Sequence, residues 1–470
     1  MMLKSPKGRA ARVTDGYREL ENYFDGILRP GESFDIIKKK LKPVCCQEIT
    51  LYYIDGFVKD EISEKLFEYM IKAPSVPDIT ENFPYVEFEC CSDREQMVKM
   101  LLSGATLLLI DGQSDGYVID TRKYPVRGIE EPENDRVLRG PRDGFTETLI
   151  FNTALIRRRL RDPGLRMELH TIGELTQTDV ALCYIDGRAD PGLVEKIRKK
   201  LDGIRIGALN LGQESIAELM IGKRWYNPFP KVRYTERPDS ASAMLLEGSV
   251  LIICDNSPQA MLLPTSIFDF LQESDDFYFP PLVGTYLRLV RLLVSLVTMF
   301  LTPVWYLLLQ YIDVLPPWLQ FIDVDSPVPI PLIVQLLIVE VTVDGLKLAS
   351  LNTPSSLSNS LSVVGGLILG DFAVQVGWLV PEAILYMAMV SIANFTQPSY
   401  ELGYALKFSR VLLLLLTMLG KLWGFIAGVI LIDLLIVFNK TVDGGRSYLY
   451  PLIPWNGRAM KRLLFRVKLR

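Results

Sequence analysis

The chain has 470 residues with 51 Lys and Arg, 55 Asp and Glu, a single histidine and six cysteines. Residues 281–470 hold 14 of the basic and 10 of the acidic side chains, which leaves 37 and 45 for a mildly acidic remainder and counts against a nucleic-acid binder. One histidine, His170, with no G-x-S-x-G, phosphate-loop or H-E-x-x-H pattern, gives no catalytic residue, metal site or cofactor to assign and disfavours an enzyme.

Residues 1–33 read as a loose N-terminal tail. They hold no apolar stretch of the kind a secretory signal needs, so the domain that follows is expected in the cytoplasm. The cysteines fit a reducing compartment. All precede the apolar part, two pairs are vicinal (Cys45-Cys46 and Cys90-Cys91), none forms C-x-x-C, and buried thiols are the simplest reading. Residues 34–142 and 166–280 read as two related α/β subdomains. Tyr53-Ile54-Asp55-Gly56 matches Tyr184-Ile185-Asp186-Gly187, each ending an apolar strand and opening an amphipathic helix. Met100–Asp111 (MLLSGATLLLID) matches Met244–Asp255 (MLLEGSVLIICD) in the same way. The aspartates Asp55, Asp111, Asp186 and Asp255 either end strands in turns or converge on a cation or ligand. Turns are favoured, because Asp bonds its own backbone and Gly takes positive φ. Residues 143–165 form a linker helix. Its Arg157, Arg158, Arg159 and Arg161 spread round the circumference, either solvated or in contact with acidic residues of a neighbouring subunit.

From Leu292 to Ile312 no residue is charged, and about 20 apolar residues cross a bilayer core as a helix. Further apolar blocks run over 331–349, 360–380, 383–395, 411–420 and 422–438. Residues 281–438 are therefore an α-helical membrane domain. It has six spans, or four with a re-entrant or interfacial pair, since the fifth block is short and meets the sixth at Gly420-Lys421. Arg288 and Arg291, Lys347, a loop with Lys407 and Arg410, and a basic tail over 439–470 place both termini in the cytoplasm. Trp305, Trp318, Trp378 and Trp423 read as interface aromatics, and Pro303 should kink the first span.

Glu340, Asp344 and Lys347 share one helix face. They either face protein or water inside the membrane or rest at the headgroups. In the third block Ser362, Gly366, Gly370, Ala373 and Gly377 form a small-residue face for close helix packing, with Asp371 and Gln375 on roughly the opposite side. Copies of this helix around a symmetry axis would line a pore with Asp371 and Gln375. Glu340 and Asp344 would then form a second ring or pair with Lys347. The alternative pairs Asp371 within one subunit, for example with Lys421.

Several stretches are long and specific. They are RGPRDGFTETLIFNTALIRRRLRDPGLRMELHTIGELTQTDVALCYIDG (139–187), Lys223-Arg224-Trp225-Tyr226-Asn227-Pro228-Phe229-Pro230, DFYFPPLVGTYLRL (276–289), QPSYELGYALKFSR (397–410) and YLYPLIPWN (448–456). With them the chain closely resembles the A-subunit family of bacterial spore germinant receptors, from about Phe34 to Arg462. The resemblance implies a protein of the endospore inner membrane, with its soluble domain and both termini in the spore core. It implies a homo-oligomer, a pentamer, that acts as a cation-channel subunit with other germination proteins, transporter-like and lipoprotein, in that membrane. An accessory branch of the family amplifies ion release. A non-conducting scaffold that assembles a germination complex is the competing reading, because a small-residue face serves it equally well.

Overall fold

Two five-stranded sheets carry the duplicated sequence, with strand orders that match position for position. The computed structural model describes residues 16–46, 48–58, 60–85, 87–122, 140–221, 226–273, 275–324, 330–352, 365–366, 370, 372–439 and 447–466. The first sheet holds β1 (Ile36–Leu41), β2 (Ile49–Ile54), β3 (Phe88–Cys91), β4 (Thr106–Ile110) and β5 (Gly116–Ile119) in the order β1-β2-β4-β5-β3. The second holds β6 (Leu165–Ile172), β7 (Thr178–Ile185), β8 (Arg233–Thr235), β9 (Val250–Cys254) and β10 (Ala260–Leu263) in the order β6-β7-β9-β10-β8. Every pairing is antiparallel. Asp55 and Asp186 thus end equivalent strands, as do Asp111 and Asp255. The match reaches single hydrogen bonds. The Asp55 N–H donates to Asp35 O at 2.8 Å and the Asp186 N–H to Gly164 O at 2.9 Å. Each acceptor immediately precedes the first strand of its sheet.

Side chains alternate across a strand, and here both faces are covered. Leu107 and Leu109 of β4 pack with Leu20 and Phe24 of α1 (Tyr17–Leu28) and with Met97 and Leu101 of α4 (Arg94–Leu102). Leu108 and Ile110 pack on the other face, with Leu66 and Met70 of α2 (Asp60–Lys72) and Ile79 of α3 (Val76–Thr80). A strand buried on both faces must be apolar throughout, and each fully buried Leu or Ile stabilises by about 1.5–3 kcal/mol. The second sheet repeats the scheme. Its one face meets α5 (Leu149–Arg159) and α8 (Pro238–Leu246). Its other helices, α6 (Pro191–Asp202) and α7 (Gln213–Met220), bury Leu193, Ile197, Ile216 and Met220. Asp190 caps α6 by accepting from the Gly192 N–H at 3.0 Å, with Pro191 at the first helical position.

Two boundaries differ from the sequence reading. Residues 1–33 are not all tail, because α1 buries Tyr17, Leu20, Phe24 and Leu28 in the first core. α5 does more than link, since it buries Leu149, Leu155 and Ile156 in the second core and Ala154 in the first. α1 and α5 each precede the first strand of their sheet, so the repeated unit begins with a helix.

Gly104 and Gly248 show why the MLL-x-G motif recurs. Both take positive φ, 101° and 95°. A Cβ on Gly104 would lie 2.9 Å from the Phe57 ring, and one on Gly248 would lie 2.6 Å from Arg188 O. Phe57 and Arg188 each follow the Asp-Gly turn of their own subdomain, so one turn of each repeat closes on the other.

His170 sits in β6 with its Nδ1 2.8 Å from Asp202 Oδ1 and its Nε2 3.8 Å from Glu168 Oε2. The Glu168 carboxylate is the largest influence and raises the histidine pKa; burial opposes the shift and Asp202 supports it. Burial works against ionisation of Glu168 too, but its contacts with Arg198, His170 and Tyr184 outweigh this and hold the carboxyl below its usual range. A histidine raised in the folded state stabilises fully below its unfolded value, about 6.5, and loses that contribution as pH rises through the folded value. His170→Gln should therefore lower thermal stability more near pH 5.5 than near pH 8.5, by melts at the two pH values. Equal penalties at both would remove the charge from the account.

The second unit comprises Arg224–Lys231 and Thr265–Arg470, and the first comprises Met1–Lys223 and Val232–Pro264. The sequence reading put residues 226–231 in the second subdomain. They belong instead among the apolar helices. These are α9 (Asp275–Tyr278), α10 (Pro281–Leu309), α11 (Leu332–Asn352), α12 (Ala373–Gln375), α13 (Pro381–Phe395), α14 (Tyr400–Val437) and α15 (Gly457–Leu464). Phe229 is buried with Phe270, Met299, Leu402, Leu413, Ile432 and Tyr448. The Asn227 side-chain amide donates to Leu435 O at 2.9 Å, and the Tyr448 hydroxyl donates to Pro230 O at 2.7 Å.

α10 and α14 are long and apolar enough to cross a membrane. α10 continues through Pro303. α14 is interrupted at Lys421, where φ is 47° and ψ is −130°. A Cβ on Gly424 would lie 1.9 Å from Leu416 O, whereas residues eight apart in a straight helix are separated by about 12 Å. The chain therefore doubles back at Lys421, and the two apolar blocks become the arms of a hairpin. Gly424→Ala should open that hairpin, since the nearest obstacle is backbone, at a cost above the ~1–3 kcal/mol of ordinary overpacking. Gly428→Ala should be milder, because its Cβ would meet the flexible side chain of Leu413. Wild-type thermal stability of the Gly424 variant in detergent would contradict the fold-back.

Candidate functional site

Four charged residues of the apolar helices gather at one place. Glu340 and Asp344 are a turn apart on α11, and Lys407 and Arg410 are three apart on α14, so each pair shares a helix face. Arg410 Nη2 donates to both Glu340 oxygens, at 2.6 and 2.7 Å, and Nη1 donates to Thr298 O on α10 at 2.7 Å. Lys407 Nζ lies 3.1 Å from Glu340 Oε1 and also pairs with Asp344. Arg410 is 2% exposed and Glu340 7%. The network is neutral, with two charges of each sign, and it joins three helices.

Depth follows from helix rise. At 1.5 Å per residue, Glu340 lies about 12 Å from one end of α11 and about 18 Å from the other. The network therefore lies well inside α11 rather than at either of its ends. Buried charges are costly unless paired, and here a single nitrogen of Arg410 serves both Glu340 oxygens. Arg410 Nε and Thr302 Oγ1 are nevertheless buried without a hydrogen-bond partner. Unsatisfied buried polar atoms of this kind accompany strain or a functional role.

This arrangement corrects two expectations. Glu340 and Asp344 do not stand free as a ring, nor do they pair with Lys347. Their partners are Lys407 and Arg410, which the sequence reading placed in a loop and the structure places within α14. Lys347 Nζ instead lies over the rings of Tyr404, Tyr400 and Phe395, at 4.7, 4.8 and 5.7 Å from their centroids. Such rings attract a cation by their quadrupole.

Asp371 and Ser362 lie outside the described residues. Gln375 is exposed on α12. A Cβ on Gly366 or Gly370 would meet nothing within 4 Å in this chain. Gly377 takes φ of 77° and ends the α12 turn rather than extending a packing face. Ala373 packs inside the chain, in the cluster of Trp305, Leu336 and Met387. The glycine that meets α11 is Gly365, whose Cβ would lie 2.6 Å from Leu346. Trp305 is not an interface residue, because it is buried, stacks on Tyr386 at 4.3 Å and donates to Ile322 O at 3.1 Å.

The arginines of α5 divide. Arg157 is fully buried and cannot meet another subunit. Its guanidinium donates to Asp35 through Nε at 2.7 Å and Nη2 at 3.0 Å, and to Leu165 O at 3.1 Å. Arg159 pairs with Asp143 at 2.6 Å. Arg158 and Arg161 are exposed. Three of the four strand-ending aspartates are engaged separately: Asp55 accepts from the Gly56 N–H at 3.0 Å, Asp186 pairs with Arg166 at 3.0 Å, and Asp255 accepts from the Leu149 N–H at 3.0 Å. Among the described residues no group of His, Cys, Asp and Glu is placed to hold a metal ion.

The sequence profile of the Bacillus/Clostridium GerA spore germination proteins matches residues 22–470. The chain belongs to the GerA family. It is 36% identical over 468 residues to stage V sporulation protein AF of Bacillus subtilis, covering 98% of this chain and 94% of that protein. It is 32% identical to the uncharacterized membrane protein YfkQ of the same organism, covering 96% and 91%. Against spore germination protein B1 of B. subtilis the identity is 28%, covering 90% and 88%. The crystal structure of the N-terminal domain of the A subunit of the Bacillus megaterium spore germinant receptor GerK3 is similar over 54% of this chain and 97% of that domain, at 24% identity and a TM-score of 0.38. GerA membership places the chain among membrane proteins of sporulation and germination, not among enzymes.

Proposed function

We propose that this GerA-family chain is a subunit of an oligomeric ion channel of the spore inner membrane, one that promotes or amplifies germination by releasing ions. The observation that carries the reading is the neutral network of Glu340, Asp344, Lys407 and Arg410 among the apolar helices. Intramembrane charge is expensive and is retained where ions or moving charges must be handled. The network ties α10, α11 and α14 to one another, so any rearrangement that opens a path must exchange its partners. A homo-oligomer, a pentamer, would place one network per subunit around an axis, with Asp371 and Gln375 towards the lumen. Other germination proteins of the same membrane are the expected partners, and both termini face the spore core.

The second reading is a non-conducting scaffold. It is favoured by one observation, that all four charges find partners inside a single chain. Purified full-length protein in planar bilayers separates the two readings. The channel reading expects cation-selective conductance, with a reversal potential in asymmetric salt that moves towards zero in Asp371→Asn. No conductance sinks the channel. Conductance with unchanged selectivity in the variant removes Asp371 from the pore.

A further inference from the structure

The C-terminal segment after α14 is pinned to the start of α10 and presents a surface of unusual composition. Tyr448 is buried, and its carbonyl accepts from the Ile267 N–H at 2.9 Å. Asn456 then caps α15 by accepting from the Ala459 N–H at 3.2 Å. On α15, Ala459, Met460, Leu463 and Leu464 share one face and are half-buried, whereas Arg458 and Lys461 lie on the other and are exposed. Arg288 of α10 donates to Leu463 O at 3.2 Å, and the Arg466 N–H donates to Thr285 Oγ1 at 3.1 Å. α15 is thereby held against the first turns of α10.

Beside these cations stand exposed apolar side chains. Trp455 is 69% exposed, Ile453 50% and Phe465 47%, and on α10 Leu282 and Tyr286 are exposed as well. Residues 447–466 contain no Asp or Glu. An all-basic polar face beside exposed Trp, Ile and Phe, at the foot of a membrane-spanning helix, has the chemistry of a bilayer interface. Aromatics settle at headgroup depth, and lysine and arginine attract anionic phosphate.

We infer that residues 452–466 are a binding surface for anionic phospholipid headgroups, with Arg458 and Lys461 on the phosphate and Trp455 and Ile453 among the adjacent acyl carbons. Binding there bears directly on α10 through Arg288 and Thr285. Lipid charge would thus influence the same helix whose Thr298 receives Arg410.

The test uses the full chain in neutral detergent, titrated with short-chain phosphatidylglycerol, with phosphatidylcholine of the same chain length, or with inorganic pyrophosphate, and read by thermal melting. Phosphatidylglycerol should raise the melting temperature well beyond phosphatidylcholine. In Arg458→Gln/Lys461→Gln the phosphatidylglycerol midpoint should move to roughly tenfold or more higher lipid. The phosphatidylcholine response and the melt in detergent alone should stay as in wild type, which shows that the variant folds. Trp455→Ala should weaken the response to both lipids. Equal responses of wild type to the two lipids would overturn the inference, as would a full phosphatidylglycerol response in the double variant. A stabilisation by pyrophosphate equal to that by phosphatidylglycerol would make the ligand free phosphate and overturn the lipid assignment.

Discussion

Glu340→Gln is expected to destabilise the helical unit by about 3–5 kcal/mol, the range for removing one partner of a buried ion pair. The variant leaves Arg410 with neutral acceptors alone, the new amide oxygen and the Thr298 carbonyl, and it leaves the network with one net positive charge. Arg410→Gln should cost a similar amount with the opposite sign of residual charge, although Lys407 still faces Glu340 at 3.1 Å. The pair is distinguished from its parts by Glu340→Met/Arg410→Met. Two well-packed apolar side chains replace a buried pair at little or no cost in stability. The double variant should therefore melt near wild type while both single variants melt far below it. If the channel reading holds, the stable double variant should still fail to conduct. A double variant no more stable than the singles would mean that hydrogen bonds to the backbone, not the ion pair, hold the three helices.

The second large effect lies in the soluble unit. Arg157→Met should cost about 3–5 kcal/mol, because Asp35 is 2% exposed and this guanidinium contacts both of its carboxylate oxygens. Ser33 adds to the site by donating to Asp35 at 2.7 Å while accepting from the Met167 N–H at 3.1 Å. The pair thus fastens the strand that opens the first subdomain to the helix and strand that open the second. Arg161→Gln, at an exposed position on the same segment, should change stability by less than ~0.5 kcal/mol. Denaturant titration of the full chain reads both. A mild Arg157 variant that loses oligomer instead would restore the subunit-contact role that burial denies it.

Much of the fold was legible because the repeat writes the same physical demands twice. The Asp-Gly turns and the MLL-x-G motif are local constraints on backbone and packing, and they survive in both copies. Strand direction was not legible. An apolar run buried on both faces reads the same whether its neighbours run parallel or antiparallel, and only the pairing of the strands shows a sheet with no parallel pair. α1 was missed although Tyr17, Leu20, Phe24 and Leu28 repeat at helical spacing. The basic stretch before it masked the amphipathic pattern. In the membrane part, the shared face of Glu340 and Asp344 followed from spacing alone. Their partners lie 63 to 70 residues further on, and no local rule joins them. A charge count would have helped, since two unpaired acids inside apolar helices require two bases at the same depth.

The placement of Phe229 also sets a schedule. Its socket is made by Leu402, Leu413, Ile432 and Tyr448, so the last wall is synthesised 219 residues after Phe229 itself. At about 5–20 residues per second that interval is roughly 10–40 s. During it the strands β8, β9 and β10, which flank and follow Phe229, can already join their sheet, while the Asn-Pro-Phe-Pro stretch waits beside the ribosome with its apolar ring uncovered. The nascent chain therefore carries an unfinished stitch from its middle to its last third. The helices complete it only when the tail bearing Tyr448 has emerged.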